Sequence, residues 1–155
     1  MRAVVQRVTD ARVSVDGDVK GSVGAGMCVL LGVEAGDGDK DLEYIVDKVS
    51  GLRIFDDENG VMNRSILDTG GEILSISQFT LLGDVRHGKR PSWIRAERPE
   101  EANDMYMRFN EVQAIQKQTT RLRPAGHTLL TSAPCSFHLY PEDCPTAAHE
   151  IHPGS

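Results

Sequence analysis

Ser77-Gln78-Phe79-Thr80-Leu81 gathers two hydroxyls, a carboxamide and an aromatic ring where an alternating strand runs out into the loop Gly83 to Gly88. Hydroxyls can attack or donate, and backbone N–H groups exposed at a strand end can hold an oxyanion, so the segment suits the binding of an ester. The competing reading is turn chemistry, because a Ser-x-x-Thr segment that ends a strand commonly bonds only its own backbone. His87, seven residues after Thr80, offers a base for a nucleophile, against the plainer reading of a solvated loop histidine. Asp56, Asp57 and Glu58 imitate a carboxylate pair, yet Asp-Glu-Asn-Gly is ordinary turn composition. Phe79 reads either as core or, if the strand end is a cleft, as a platform for a base.

The general templates are absent. There is no G-x-S-x-G elbow, no H-E-x-x-H, no phosphate loop and no dinucleotide fingerprint, so chemistry has to be read from constellations. Cys28, Cys135 and Cys144 are odd in number and form no close CxxC pair, and the histidines beyond residue 110 lack ligand spacing. Neither a disulfide framework, a zinc knuckle nor another metal site is indicated, and reduced thiols fit a cytoplasmic location. The longest apolar run, Met27 to Leu31, is far short of the roughly 18 to 20 residues a membrane span needs. A strand-like opening, Met1 to Arg7, stands where a signal peptide would carry a longer apolar core.

The formal net charge of -6 disfavours extended contact with a nucleic acid backbone. Positive charge is instead local: Arg86, His87, Lys89, Arg90, Arg95 and Arg98 fall close together, broken only by Glu97. Such a patch can hold a few phosphates at an RNA end, or be no more than a solvated loop.

These residues need elements to position them. With 155 residues, 39% hydrophobic and 26% charged, the chain fits one globular core. Alternation over Ala3 to Val8 and again at Val13 and Val15 predicts strands. Asp16-Gly17-Asp18 predicts a hairpin into Val19 to Val23, and Met27 to Val33 reads as a buried strand. Leu42, Ile45, Val46, Val49 and Leu52 keep helical spacing after a Gly-Asp N-cap cluster, predicting an amphipathic helix over about 38–51. Arg53 to Phe55 reads as a short strand and Glu72 to Gln78 as an alternating one. A second helix over about 99–116 starts at Pro99, with Glu100 and Glu101 complementing its dipole and Ala102, Met105, Tyr106, Phe109 and Val112 facing inward.

Hairpins with too few helices for regular βαβ alternation make the fold class α+β, with a mainly antiparallel, barrel-like core. A single domain is expected over 1–140. Residues 111–155 hold five of the seven prolines and two of the fifteen glycines, a change of character. Strand fragments are expected at His127 to Leu130 and Ser136 to Tyr140, and 141–155 reads as a poorly ordered tail.

Several spaced segments together resemble one family. Met1-Arg2-Ala3-Val4-Val5-Gln6-Arg7-Val8, Gly51-Leu52-Arg53-Ile54-Phe55, Met62-Asn63 with Ser65 and Asp68, Ser77-Gln78-Phe79-Thr80-Leu81, Gly83-Asp84 and Lys89-Arg90-Pro91-Ser92 stand in the order and spacing of the D-aminoacyl-tRNA deacylases, over residues 1 to about 110. The resemblance implies a cytoplasmic homodimer with its active sites at the subunit interface. Such an enzyme hydrolyses the ester between a D-amino acid, or glycine, and the 3′-terminal adenosine of tRNA, a proofreading step in translation, without metal or cofactor. It also implies that Ser77 and Gln78 polarise the ester and that Phe79 shapes the pocket. Thr80 is the argued nucleophile, unless the ribose 2′-hydroxyl assists and the protein only positions. Arg7 would buttress a second motif, and Arg86, Lys89 and Arg90 would face the RNA.

That second motif, N-x-G-P-V-T, whose Gly and cis-proline reach into the partner's pocket, is not present in that form. The nearest segment by spacing is Thr131-Ser132-Ala133-Pro134-Cys135-Ser136, with Ala133 and Pro134 in the places of the glycine and proline; Cys144-Pro145-Thr146 is a weaker match. The C-terminal part is either diverged or altered in reading frame. Two further readings stand beside the esterase. One is a non-catalytic relative that binds an aminoacyl-RNA end or a protein; the other is a hydrolase that uses His87 as base.

Overall fold

In the computed structural model, residues 1–116, 122–124, 135–140 and 149–151 are described. Strands β1 (Arg2–Val8), β4 (Gly26–Gly32), β7 (Glu72–Ser77), β8 (Leu122–Pro124) and β10 (His149–Ile151) form a central sheet in the order β10-β1-β4-β7-β8. A second sheet, β3-β2-β9, is built from β2 (Asp10–Val15), β3 (Asp18–Val23) and β9 (Cys135–Tyr140). A short ribbon pairs β5 (Phe55–Asp56) with β6 (Met62–Arg64). The helices are α1 (Asp39–Gly51), α2 (Ile66–Thr69) and α3 (Pro99–Gln116).

Alternation along the central strands sorts their side chains into two cores. Ala3, Val5, Met27, Val29, Leu31 and Ile73 pack beneath the helices with Leu42, Ile45 and Val49 of α1 and Tyr106 and Phe109 of α3. Val8, Cys28, Leu74 and Ile76 face the other way, against Ala11, Val13 and Val23 of the second sheet. The molecule is therefore layered as helices, central sheet and second sheet. Burial raises the Cys28 thiol to about 12, so it behaves as a small apolar side chain.

The α+β class holds, and the two long helices fall where their apolar spacing places them. The β2–β3 hairpin turns at Asp16 and Gly17, both with positive φ of 51° and 85°, the pairing that a tight turn with the twist of the strands requires. Two features differ from expectation. The sheets do not close into a barrel among the described residues, since β10 and β8 end the central sheet and β3 and β9 the second. β7 also lies parallel to β4, and β8 parallel to β7. Each parallel step is made by a long crossover that carries a helix, α1 for the first and α3 for the second, so two βαβ-like units sit inside an otherwise antiparallel fold. Irregular spacing of the crossovers hides them from a reading based on regular alternation.

The parallel contact between β4 and β7 is close at its start. A Cβ at Gly26 would stand 1.9 Å from the Glu72 carbonyl oxygen, a contact no other residue could make without moving a strand. The α1 N-terminus is closed by Asp41, whose carboxylate accepts from the Gly38 N–H at 2.9 Å, while Asp37 ion-pairs with the chain's amino terminus. On α3, Tyr106 and Phe109 are buried as expected, but so are Asn110 and Gln113. Gln113 donates to the Val46 carbonyl at 3.1 Å and accepts from the Ser50 hydroxyl at 3.1 Å, so part of the seam between α1 and α3 is polar, which apolar periodicity does not register.

Within the segment expected as a tail, His149–Ile151 pairs antiparallel with β1, Ile151 lying opposite Ala3. The rest of that segment, the fragment His127 to Leu130, and both Ala133 and Pro134 lie outside the described residues. No helix among the described residues is long and apolar enough to cross a membrane.

Candidate active site

Ser77 closes β7 opposite Leu31 of β4, and the Gln78 N–H donates to the Leu31 carbonyl at 2.7 Å. That bond carries the strand direction one residue beyond β7. Phe79–Leu82 then forms a 3₁₀ turn between the strand and the loop expected over Gly83 to Gly88. Its first bond runs from the Leu81 N–H to the Gln78 carbonyl at 3.4 Å, so the N–H groups of Phe79 and Thr80 precede the bonded part of the turn. The Gly83 N–H closes the far side on the Thr80 carbonyl at 3.1 Å.

The Gln78 carboxamide Nε2 donates to the Thr80 hydroxyl oxygen, which fixes that oxygen and leaves its proton directed elsewhere. Thr80 is exposed, whereas Ser77, Gln78 and Phe79 are half-buried. The Phe79 ring meets Trp93 edge to face, with centroids 5.9 Å apart and planes at 66°. Trp93 lies in the loop that returns from the basic stretch; sequence reading passed over it, because only its contact with Phe79 gives it a place. Arg2 was also missed as a site residue. Its Nη1 donates to the Leu81 carbonyl at 3.2 Å, tying the turn to the start of β1 across 79 positions of chain.

Not every predicted residue joins this group. Arg7 sits opposite Met27 in β4, while Ser77 sits opposite Leu31, which separates the two by roughly 13 Å along the strands. The Arg7 guanidinium donates to the Ile54 carbonyl at 3.0 Å and to Asp56 at 3.2 Å. There it lines a separate pocket of about 310 Å³ with Phe55, Asp56 and Gly71. Among the described residues no hydrogen bond joins His87 to Thr80, and His87 is exposed.

Lys89 and Arg90 are exposed on the loop as expected. Arg86 is bound to Asp84 through Nε, 3.0 Å from each carboxylate oxygen, and through Nη2. These bonds, with the Arg86 N–H on Asp84 at 2.9 Å, hold the Asp84 carboxyl well below the usual carboxylate range and push Arg86 up. Asp57 accepts from the N–H groups of Asn59 at 2.9 Å and Val61 at 3.1 Å, which is the turn role and lowers its pKa. Among the described residues no group of three or more His, Cys, Asp or Glu is arranged to hold a metal.

A family model described as D-Tyr-tRNA(Tyr) deacylase matches residues 4–124, most of the chain and all of the site just described except Arg2. The chain belongs to the D-Tyr-tRNA(Tyr) deacylase family. Relatives of this deacylase family member include the D-aminoacyl-tRNA deacylase of Symbiobacterium thermophilum, 56% identical over 111 residues, 72% of this chain and 74% of that one. The D-aminoacyl-tRNA deacylase of Clostridium tetani is 59% identical over 109 residues, 70% of this chain and 73% of that one. Among solved structures, the c-Myc DNA Unwinding Element Binding Protein superposes with a TM-score of 0.85 at 34% identity and covers 100% of both chains. A probable eukaryotic D-amino acid tRNA deacylase has the same fold, with a TM-score of 0.73 at 15% identity over 97% of this chain and 98% of that one.

Proposed function

We propose that the protein is a D-aminoacyl-tRNA deacylase acting in the cytoplasm: water cleaves the ester that joins a D-amino acid, or glycine, to the terminal ribose of tRNA, releasing the amino acid and a free 3′ end. The observation that carries this reading is the 3₁₀ turn at the end of β7, in which the Leu81 N–H is the first to bond within the turn and the Gln78 carboxamide fixes the oxygen of the exposed Thr80. The N–H groups of Phe79 and Thr80 hold the oxyanion, Gln78 orients the Thr80 hydroxyl, and the Phe79–Trp93 pair forms an apolar wall. An aminoacyl ester is already activated, so orientation and oxyanion stabilisation supply much of the rate.

The working unit is a homodimer with a cross-subunit site. Support comes from Thr80 being exposed at the sheet end and from Val85, Trp93 and Ile94 standing out beside it, Ile94 at 89% exposure. By spacing along the sequence, Ala133 and Pro134 answer to the family's Gly–Pro pair, to which this reading assigns the exclusion of L-amino acids. Lys89 and Arg90 meet the acceptor end of the RNA.

The test is release of D-tyrosine from D-tyrosyl-tRNA by micromolar protein, with L-tyrosyl-tRNA spared. Absence of turnover in folded, dimeric protein would sink the enzymatic reading. It would favour instead a module that only binds nucleic acid, the alternative that the likeness to the c-Myc DNA Unwinding Element Binding Protein supports.

A further inference from the structure

Beside the turn that carries Thr80, a pocket of about 280 Å³ opens between the start of β1 and the basic loop. Arg2, Arg86 and Arg95 line it against one carboxylate, Asp84. Arg86 is paired with Asp84 and Arg95 with Glu34, so three guanidinium groups meet two carboxylates, a local positive excess in a chain of net charge -6.

The arginines are held, not merely nearby. Arg95 Nε donates to Glu34 at 2.6 Å, its Nη2 ion-pairs with the same carboxylate, and the Ala35 N–H donates to the Arg95 carbonyl at 2.9 Å, so the side chain and backbone of Arg95 are anchored to the stretch that follows β4. Asp84 and Ser92 exchange two backbone bonds, of 2.8 and 2.9 Å, which pin the two ends of the loop together. Each guanidinium carries five N–H donors, and the bonds named for Arg95 and Arg86 use only part of their forks. Fixed forks with donors left over suit a tetrahedral oxyanion better than flexible lysines do.

The position relates the pocket to the reaction. Gly83, in its wall, donates to the Thr80 carbonyl, and Arg2 donates to the Leu81 carbonyl, so the pocket and the turn share a backbone. We propose that this pocket binds a backbone phosphate of the RNA, the phosphodiester on the 5′ side of the terminal adenosine, through Arg95, with Arg86 at the rim and Arg2 in the wall. The inference rests on the deacylase reading and adds a phosphate subsite to it. The site explains how an acidic protein takes an RNA end: it grips one phosphate where the chemistry occurs, not the length of the helix.

The experiment compares two substrates that share the ester, D-tyrosyl-adenosine, which has no phosphodiester, and D-tyrosyl-tRNA. For Arg95→Gln the ratio of KM on the tRNA to KM on the adenosine ester is expected to rise about tenfold, of the order of one lost charged hydrogen bond, and the salt slope of tRNA binding to shrink by about 0.7. Arg95→Lys, which keeps the charge, should recover part of the ratio. Anisotropy of a short single-stranded RNA ending in CCA, measured against free adenosine, reads the same difference without turnover. If both KM values move together, or neither moves, while the parent hydrolyses the adenosine ester, the phosphate site is overturned and the deacylase reading stands. A parent that cleaves neither ester overturns the deacylase reading; the phosphate site then falls too unless Arg95→Gln weakens the binding of the RNA.

Discussion

Thr80 is the residue on which the proposed chemistry turns, and its surroundings bear on two roles. A nucleophilic hydroxyl needs a base to take its proton. The hydrogen bond at Thr80 runs instead from the Gln78 carboxamide into the Thr80 oxygen, which favours a positioned hydroxyl over an attacking one. Thr80→Val keeps the shape and removes the hydroxyl. We expect it to lower kcat about 10- to 100-fold, equivalent to losing one hydrogen bond of about 1.5–3 kcal/mol to a charged transition state. Single-turnover kinetics checks this, and a loss nearer 10⁶, of the order seen when a covalent nucleophile is removed, together with acyl-enzyme trapped on Thr80, would assign attack to the hydroxyl. Ser77-Gln78-Phe79-Thr80 was legible in sequence as a candidate because it mixes polar types at a strand end. Trp93 and Arg2 were not, because each acquires its part only through a contact with a residue far along the chain.

At the scale of elements, short polar turns hold the strands and helices in register, and three of them do so through carboxylates. Asp57 closes the turn of the β5–β6 ribbon, and Asp84 holds Arg86 at the mouth of the basic loop. Asp68 caps α2, accepting from the Ser65 N–H at 2.8 Å and hydroxyl at 2.7 Å while its own N–H donates back to that hydroxyl at 3.3 Å. Hydrogen bonding to the charged form lowers all three acids below their ordinary values. A folded pKa below the unfolded one contributes stability that is present above the unfolded value, about 3.9 for aspartate, and is lost as pH falls through the folded value. The melting temperature is therefore expected to hold down to about pH 5 and to fall below about pH 4, with Asp68→Asn melting lower at neutral pH and showing a shallower acid limb. Thermal melts across pH check this; identical acid limbs in parent and variant would remove Asp68 from the account.

For the whole molecule the decisive question is whether two chains make one site. Arg7 and Thr80 stand at opposite ends of the same sheet, so one chain does not bring the predicted residues together. A two-fold axis can, because an isologous interface sets different parts of two identical chains against each other. If it does, protomers carrying Thr80→Val and protomers carrying Pro134→Ala should, after mixing and exchange, gain about one quarter of parental activity above the residual activity of either variant alone, since half the dimers then hold one intact site. Activity assays on refolded mixtures check this, and no recovery in mixtures shown to contain heterodimers would place each site within a single chain. The sequence by itself determined what depends on local periodicity and residue type: both long helices, the first hairpin, and the polar strand end at Ser77. Only the tertiary structure decided that β7 runs parallel to β4, that Arg7 and Thr80 are apart, and that Arg2, Arg86 and Arg95 surround one hollow. Strand order and the convergence of distant arginines are set by how layers pack across long stretches of chain, and no window of neighbouring residues records that.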